Sequence, residues 1–291
     1  MTTKNRIVHR ATRSDFARAA YAKLKDVPLI GRCVRKLVHS ALPAGTKLWV
    51  QVPAGLGRGL WIRVDPRFEL GYSNGDYEPW LQELLQAQLR PGDCFYDIGA
   101  HTGFFALIAS TFLGPSGKVV AFEPDPDNAA GLHANLAKNS NTQVIVVQAA
   151  VWSSAGQLTF QRALEDSNRT QGQIAAGQGS DLGKIAVRAI QLDEFVFAEG
   201  NPAPQLIKMD VEGAEWEALQ GSRALLERAK PKLLCEIHHP EQIGQIQEYL
   251  QGLGYFVEEW KPVHEHYADY RQLYLWAVPL STAVSPENDQ G

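Results

Sequence analysis

The sequence predicts an α/β fold built on a mostly parallel, seven-stranded sheet. From residue 93 onward, short apolar runs alternate with helical segments, which is typical of parallel strands joined by crossover helices. The last two strand-like runs follow each other without a helix between them and predict an antiparallel hairpin at the sheet edge. The residues before 91 lack this alternation, and we interpret them as a helical and β-hairpin extension.

The extension, residues 1–90, has helix-compatible composition from 12 to 40, where Pro28 divides it into two short predicted helices. The segments KLWVQV (47–52) and GLWIRVD (59–65) alternate apolar and polar residues around a Gly-rich turn, which predicts a β-hairpin. The segment WLQELLQAQL then repeats apolar residues every three or four positions until a Pro-Gly pair ends it. It is therefore predicted to be a helix.

Residues 91–280 are predicted to form the main domain, whose seven strands are CFYDIG, KVVAFEP, TQVIVVQAAV, QLIKMDVEG, PKLLCEI, YFVEEW and QLYLWAVP. Between the third and fourth strands, QLTFQ and KIAVRAIQL flank the Gly-, Ser- and Gln-rich residues 167–183. These residues lack apolar periodicity and predict an exposed, mobile loop, which is either a lid or an insertion. Residues 281–291 are predicted to be a disordered polar tail.

The 291-residue chain, 45% apolar and 21% charged, is long enough to bury the core of one catalytic domain. No stretch approaches the roughly 18 apolar residues of a membrane-spanning helix, and the N-terminus lacks the apolar segment of a signal peptide. These observations predict a soluble, cytoplasmic protein without a transmembrane segment. Cys33, Cys94 and Cys235 have no metal-ligand spacing and are predicted to be reduced core residues.

The net charge of −4 is distributed unevenly along the chain. Residues 1–40 contain ten Lys or Arg against Asp15 and Asp26, which gives this segment +8 and leaves −12 for the rest. Two interpretations are open: these basic helices pack on the chain's own acidic domain, which we favour, or they make peripheral contact with an anionic surface. The basic residues lack interleaved aromatics, so no nucleic-acid partner is expected.

The first strand of the main domain ends in a Gly-rich turn, DIGAHTG, at residues 97–103. In such sheets a nucleoside cofactor binds beyond the carboxyl ends of the strands, where the strand order reverses. Gly99 and Gly103 permit a sharp turn and a close approach of the next helix. Glu123 ends the second strand about 20 residues later, where an acidic side chain can accept hydrogen bonds from both ribose hydroxyls. The pattern predicts an adenosine site.

Other nucleotide cofactors fit this pattern less well. Glu123 would repel a 2′-phosphate, which disfavours NADP, and GAHTGFF lacks two of the glycines that seat a pyrophosphate, which disfavours NAD. An NAD-dependent oxidoreductase nevertheless stays open as the alternative function. A non-catalytic binding module on the same fold is a further alternative. Asp97 either accepts a hydrogen bond from a cofactor amino group or caps the next helix.

The motifs DIGAHTGFF, AFEPDPDN, IKMDVEGAEWEALQG and PKLLCEIH resemble, in order and spacing, the FkbM family of S-adenosylmethionine-dependent methyltransferases. The resemblance covers roughly residues 60–260, and KMDVEGAE is closer to this family than to methyltransferases in general. The segment GDYEPW, with Glu78, also resembles the sequence before the first strand in such proteins, whereas His101 stands where the family more often has Asn. The resemblance implies a Rossmann-like class I methyltransferase fold.

The same resemblance implies an S-adenosylmethionine-dependent O-methyltransferase that acts on a hydroxyl of a sugar, a glycan or a secondary metabolite. It implies the following cofactor-binding residues: Asp97, Gly99, Ala100, His101 and Gly103 around the methionine part, Glu123 at the ribose, and Ala149 and Ala150 at the adenine.

The fourth and fifth strands of the main domain end in the candidate catalytic residues Asp210, Glu236 and His238. Glu236 and His238 are two apart in a strand and share a face, so both can converge with Asp210. In one interpretation His238 is the general base, and an adjacent carboxylate keeps its pKa near the working pH. In another the trio binds Mg²⁺, which lowers the pKa of the acceptor hydroxyl, although Mg²⁺ prefers oxygen ligands.

These residues also have structural interpretations. His238 and His239 lie just before Pro240 and can cap the next helix, and Glu212 or Glu215 can supply first-turn charge that is favourable to a helix dipole. We favour the structural interpretation for Glu215. For Asp210 and Glu236 we favour function, because carboxylates that end apolar strands are costly to bury without a partner.

Overall fold

The computed structural model describes residues 47–65, 70–162, 173–174, 183–260 and 273–280. Four predictions lie wholly or mostly outside these ranges: the two N-terminal helices, the role of the basic segment, the loop at 167–183 and the polar tail at 281–291. They stay predictions, as does the division of the chain at residue 90.

The described elements alternate between strands and helices through most of the chain. The strands are β1 (Leu48–Gln51), β2 (Trp61–Val64), β3 (Cys94–Ile98), β4 (Lys118–Phe122), β5 (Val144–Val147), β6 (Ala150–Val151), β7 (Gly156–Gln161), β8 (Gln173–Ile174), β9 (Lys184–Ile190), β10 (Leu206–Met209), β11 (Lys232–Ile237), β12 (Tyr255–Trp260) and β13 (Leu273–Pro279). The helices are α1 (Leu70–Asn74), α2 (Pro79–Gln88), α3 (Phe104–Leu113), α4 (Pro126–Lys138), α5 (Glu215–Gln220), α6 (Arg223–Arg228) and α7 (Ile243–Gly252), with a π-helical turn at Glu194–Ala198 and a 3₁₀ turn at Pro240–Gln242. No helix in the described ranges is long and apolar enough to cross a membrane.

The predicted seven-stranded sheet is confirmed, in the order β12-β13-β11-β10-β3-β4-β5. Strand β13 pairs antiparallel with both of its neighbours, whereas the pairs from β11 to β5 are parallel. All five residues of β3 are buried, because helices cover both faces of the sheet. Consecutive residues of β3 point to opposite faces of the sheet: Phe95 belongs to the hydrophobic cluster on one face and Tyr96 to the cluster on the other.

The strand order reverses next to β3. The chain steps outward from β3 to β4 and β5, and then returns to the other side of β3 with β10 and β11. The carboxyl ends of β3 and β10 therefore border the crevice in which open α/β sheets bind ligands.

The third predicted strand, TQVIVVQAAV, divides into β5 and β6, which belong to different sheets. The amide of Ala149 donates to the carbonyl oxygen of Val147 at 2.9 Å, and this tight turn redirects the chain. Strand β6 then joins β9, β7 and β8 in a small second sheet that contains the segments QLTFQ and KIAVRAI.

The predicted hairpin of β1 and β2 is confirmed and packs on the main domain. The amide of Arg63 on β2 donates to the side-chain oxygen of Asn135 on α4, and the amide of Trp61 donates to that of Asn139 just after α4, each at 2.8 Å. Asn135 also donates to the carbonyl of Thr102 at 2.8 Å. Amide side chains thus cover a strand edge that would otherwise lack partners. The hairpin residues Val50, Val52, Ile62 and Val64 share one hydrophobic cluster with α2 and α3.

Two of the three cysteines lie in the described part of the chain. Cys94 and Cys235 are buried free thiols, as predicted. Burial raises the pKa of Cys94 to about 12 and that of Cys235 well above its ordinary range. Both are therefore unreactive core residues.

Candidate active site

A cavity of about 440 Å³ opens at the carboxyl ends of β3, β4, β10 and β11. Nine of the eleven residues predicted for the site line it: Gly99, Ala100, His101, Glu123, Ala149, Ala150, Asp210, Glu236 and His238. Asp97 and Gly103 are not among the lining residues. Residues far apart in sequence thus meet in one crevice.

The Gly-rich turn after β3 is required by packing within the chain. Gly99 has a positive φ of 76°, and a Cβ there would overlap the carbonyl oxygen of Asp210. At Gly103, with a φ of 81°, a Cβ would lie 2.8 Å from Cγ of Leu132 on α4. Glycine therefore lets the turn contact the backbone after β10, and lets α3 approach α4.

His101 occupies a left-handed backbone position in the same turn, with a φ of 50°. Asn, Asp and His adopt this conformation more readily than other side chains, which explains how His can stand where the family more often has Asn. Burial and the positive charges of Lys47 and Lys208 lower the pKa of His101 to about 4. Its imidazole is neutral at neutral pH and lies 6.1 Å from the ring of Tyr72, measured between centroids.

The Glu123 carboxyl group is held by donors of the chain. Its Oε2 accepts from the amide of His101 at 2.8 Å, and its Oε1 accepts from the amide of Asp125 at 2.9 Å and from Asn128 Nδ2 at 3.4 Å. Burial raises the pKa of Glu123 to about 8, against the opposing effect of the Asp125 and His101 amides. These contacts fix the orientation of a carboxyl group that faces the cavity.

Asp97 is fully buried beside a lysine that the sequence analysis missed. Lys208 is its partner in the pairing of β3 with β10, and Nζ of Lys208 lies 3.4 Å from Oδ1 of Asp97. The same Nζ lies 3.4 Å from Oδ2 of Asp210 and donates to the carbonyl of Gly99 at 3.2 Å. Lys208 lines the cavity, whereas Asp97 lies behind it as a counter-ion. A lysine within the buried run LIKM was the available signal.

His238 lies at the centre of four carboxylates. Its Nδ1 is 2.7 Å from Oε1 of Glu215, a side chain with no exposed surface. Its Nε2 is 3.3 Å from Oε2 of Glu212, 3.6 Å from Oε1 of Glu236 and 3.8 Å from Oδ1 of Asp210. The predicted convergence of the strand ends is therefore present, with two further carboxylates.

The pKa values of this cluster differ from the expectation of a histidine that titrates near neutral pH. Burial alone would lower the pKa of His238, but the hydrogen bond with Glu215 and the charges of Glu236 and Asp210 outweigh it and raise the pKa to about 9. Burial, followed by the charge of Asp210, raises the pKa of Glu236 to about 8 and that of Glu212 to about 7. At neutral pH the imidazole is thus protonated among carboxyl groups poised to exchange protons.

Glu215 occupies the predicted first-turn position and also contacts His238. Glu215 does lie in the first turn of α5, and it accepts from the amide of Gly213 at 3.0 Å. Its short contact with His238 nevertheless makes it the group that orients the imidazole. His239 directly precedes the 3₁₀ turn, and its side chain makes no capping hydrogen bond. Its Nδ1 instead lies 3.3 Å from Oε1 of Glu241.

Ligand atoms of Asp210, Glu236 and His238 lie within 4.8 Å of one another, which is close enough for all three to contact one metal ion. The set does not fit Mg²⁺. One of its three members is a histidine whose raised pKa favours the protonated form, and Lys208 already places a positive charge 3.4 Å from Asp210. The carboxylates are thus compensated by the protein's own cations.

Comparison with known proteins identifies relatives of this chain. Residues 97–257, more than half of the chain, match the family model described as the methyltransferase FkbM domain. The hexuronic acid methyltransferase AglP of Haloferax volcanii is 32% identical over 155 residues, which cover 53% of this chain and 60% of AglP. The chain therefore spans less than two thirds of this relative.

Two further proteins are similar over a larger share of this chain. The 31-O-demethyl-FK506 methyltransferase FkbM of Streptomyces tacrolimicus is 29% identical over 197 residues, which cover 58% of this chain and 75% of that protein. The crystal structure of methyltransferase FkbM from Methylobacillus flagellatus KT aligns with a TM-score of 0.46 and 17% identity, over 71% of this chain and 52% of that one.

Proposed function

Because this chain belongs to the FkbM methyltransferase family, we propose that it transfers the methyl group of S-adenosylmethionine to a hydroxyl of a sugar, a glycan or a secondary metabolite. One observation carries this proposal. A single cavity at the switch point joins the turn at residues 99–101 and Glu123 to the cluster of Asp210, Glu236 and His238. The first group suits a nucleoside and the second an alcohol.

The cofactor side of the cavity, meaning residues 99–101 and Glu123, is proposed to hold S-adenosylmethionine. Glu123 accepts from the ribose hydroxyls, since its carboxyl group is oriented by chain amides and faces the cavity. The turn at residues 99–101 surrounds the methionine part, and Ala149 with Ala150 lines the adenine side. Asp97 supports the turn from behind through Lys208.

The acceptor side, meaning Asp210, Glu212, Glu236 and His238, is proposed to hold and deprotonate the hydroxyl. S-adenosylmethionine supplies a methyl group on a sulfonium sulfur; the acceptor oxygen bonds to this carbon as the carbon–sulfur bond breaks and its electron pair passes to sulfur. Glu236, whose raised pKa suits proton uptake near neutral pH, accepts the hydroxyl proton. Protonated His238 donates to the acceptor oxygen and positions it.

Acceptor identity is the finer part of the proposal. The names of two relatives refer to a hexuronic acid and to 31-O-demethyl-FK506. The molecules named for these two relatives thus differ in scaffold, and in this chain the cluster of carboxylates and His238 is suited to a hydroxyl rather than to one scaffold.

Calorimetry with S-adenosylhomocysteine and with NAD tests the cofactor assignment, and mass spectrometry of candidate acceptors after incubation with labelled S-adenosylmethionine tests the reaction. We expect binding of S-adenosylhomocysteine, no binding of NAD, and a mass gain of one labelled methyl on a hydroxylated acceptor. Binding of NAD in its place would favour an oxidoreductase. Binding of S-adenosylhomocysteine without transfer to sugars, glycans or hydroxylated metabolites would favour a non-catalytic module.

A further inference from the structure

Two tyrosines from the N-terminal region line the cavity, although they lie outside the matched residues 97–257. Tyr72 belongs to α1, and Tyr77 lies just before α2. Their ring centroids are 4.3 Å apart, and the ring of Phe104 lies 5.1 Å from Tyr72 and 6.2 Å from Tyr77. The rings form an aromatic wall, defined as Tyr72 and Tyr77.

A buried glutamine holds the loop that carries Tyr77. Gln82, with 2% of its surface exposed, donates from Nε2 to the carbonyls of Tyr77 at 2.8 Å and Gly75 at 3.1 Å, and its Oε1 accepts from the amide of Leu56 at 3.2 Å. A Cβ at Gly71 would lie 3.1 Å from Cδ2 of Tyr77, so glycine there leaves room for the ring. The aromatic wall is therefore a fixed surface.

The Tyr77 end of the aromatic wall lies toward the acceptor side. The centroid of Phe105 is 5.9 Å from that of Tyr77 and 5.7 Å from Nζ of Lys208, which in turn lies 3.4 Å from Asp210. The residue that directly follows Tyr77 in the chain is hydrogen-bonded to a strand of the seven-stranded sheet.

That residue is Glu78, whose Oε1 accepts from the hydroxyl of Tyr274 at 3.4 Å. Tyr274 on β13 is the pairing partner of Glu236 on β11. The loop therefore runs past the strands that supply the acceptor side, and the ring of Tyr77 and the carboxylates line the same cavity.

We propose that Tyr77, supported by Tyr72, is an acceptor-binding residue on which the apolar face of a saturated, hydroxylated ring packs while its hydroxyls meet the carboxylates of the acceptor side. This assignment rests on the proposed function. A half-buried phenol ring provides a flat apolar surface, and carboxylates provide hydrogen-bond acceptors, so the pair recognises a ring with one apolar face and polar edges. Acceptor choice is then set partly by residues that precede the matched region.

Saturation-transfer NMR on protein loaded with S-adenosylhomocysteine tests this assignment without turnover. The ring probe is methyl β-D-glucopyranoside, and the acyclic control is sorbitol. We expect saturation of the glycoside ring protons by the wild type and by Tyr77→Phe, a signal weaker by about fivefold in Tyr77→Ala and Tyr77→Leu, and little saturation of sorbitol. Calorimetry should give the same affinity for S-adenosylhomocysteine in all four proteins, within about twofold. Tyr77→Leu keeps an apolar side chain and guards against misfolding of the alanine variant.

Three outcomes would overturn the assignment: equal saturation of sorbitol and the glycoside, an undiminished signal in both ring-deleted variants, or absence of glycoside binding by loaded wild type. A loss of S-adenosylhomocysteine affinity that matches the loss of glycoside signal would place Tyr77 at the cofactor instead. Failure of the wild type to bind S-adenosylhomocysteine would contradict the proposed function itself. This binding is measured in a separate titration.

Discussion

The cofactor side and the acceptor side of the cavity are built in different ways. On the cofactor side, backbone geometry dominates: glycines with positive φ shape the turn, and Glu123 is oriented by main-chain amides. On the acceptor side, charged side chains orient one another, with His238 as the shared partner. The first arrangement depends on which conformations a few residues permit, and the second on charges brought together from separate strands. The two sides should therefore respond differently to substitution.

Gly99→Ala should cause the largest effect, because the two sides meet at this residue. The new Cβ would require a positive φ and would also overlap the carbonyl of Asp210, so we expect a loss of about 3 kcal/mol or more in the free energy of unfolding. Gly59→Ala is the matched control, since Gly59 has a φ of 89° but nothing within 4 Å of its Cβ position. Urea unfolding should give the control a loss of only about 1–2 kcal/mol. Equal losses would mean that the overlap contributes nothing.

Glu123→Ala should weaken binding of S-adenosylhomocysteine by about 1–3 kcal/mol, or roughly 5- to 150-fold, because the hydrogen bonds to the ribose are lost. Calorimetry measures this change. Asp127→Asn is the control, since Asp127 is exposed in the next helix and should keep the affinity of the wild type. Unchanged affinity in Glu123→Ala would remove Glu123 from the ribose site.

Glu215→Gln should lower turnover by more than about tenfold while affinity for S-adenosylhomocysteine stays the same, because the imidazole of His238 loses the negative charge that favours its protonated form. The matched control is Glu217→Gln, two residues later in the same helical turn. Steady-state assays on an acceptor found by mass spectrometry give the comparison. If both variants lost activity equally, the charge of the helix turn would matter rather than the contact with His238.

The stabilising effect of His238 should depend on pH. Its folded pKa of about 9 is raised above the ordinary value of 6.5, so its contribution is fully present below pH 6.5 and is lost as the pH rises through about 9. The difference in unfolding free energy between wild type and His238→Ala should therefore fall by about 2–3 kcal/mol over this window. Thermal or urea unfolding at several pH values measures it. A difference that stayed constant from pH 6.5 to 9 would show that His238 is not held as an imidazolium.

Most residues that the sequence predicts for the cofactor side line the cavity, because their signals are local. Gly99 and Glu123 stand at fixed distances from strand ends, and the strand pattern alone locates those ends. Lys208 was not predicted, and neither was the contact of Glu215 with His238, because both depend on partners that only the fold supplies. Gly99 is 109 residues from Lys208 in the sequence, and His238 is 23 residues from Glu215. Charge alone did not distinguish a helix-end carboxylate from one that orients an imidazole.

The fold was predicted more fully than its details. Seven strands and the edge hairpin followed from the apolar runs, since parallel strands covered on both faces are apolar throughout. The division of the third strand at Ala149 was not predicted, because an apolar run continues across it and only a tight turn in the backbone separates the two sheets. Periodicity reports burial, and it does not report which sheet a strand joins.

The hydrogen bonds from β2 to Asn135 and Asn139 bear on where this chain can be shortened. Asn135 and Asn139 complete the hydrogen bonding of a strand that precedes residues 97–257, and Asn135 also braces the turn beside the cavity through Thr102. A fragment cut to the matched region would leave these amides facing water and uncover the apolar side of α3. We therefore expect the homologous segment to be an incomplete folding unit, since the hairpin ahead of it braces the turn beside the cavity.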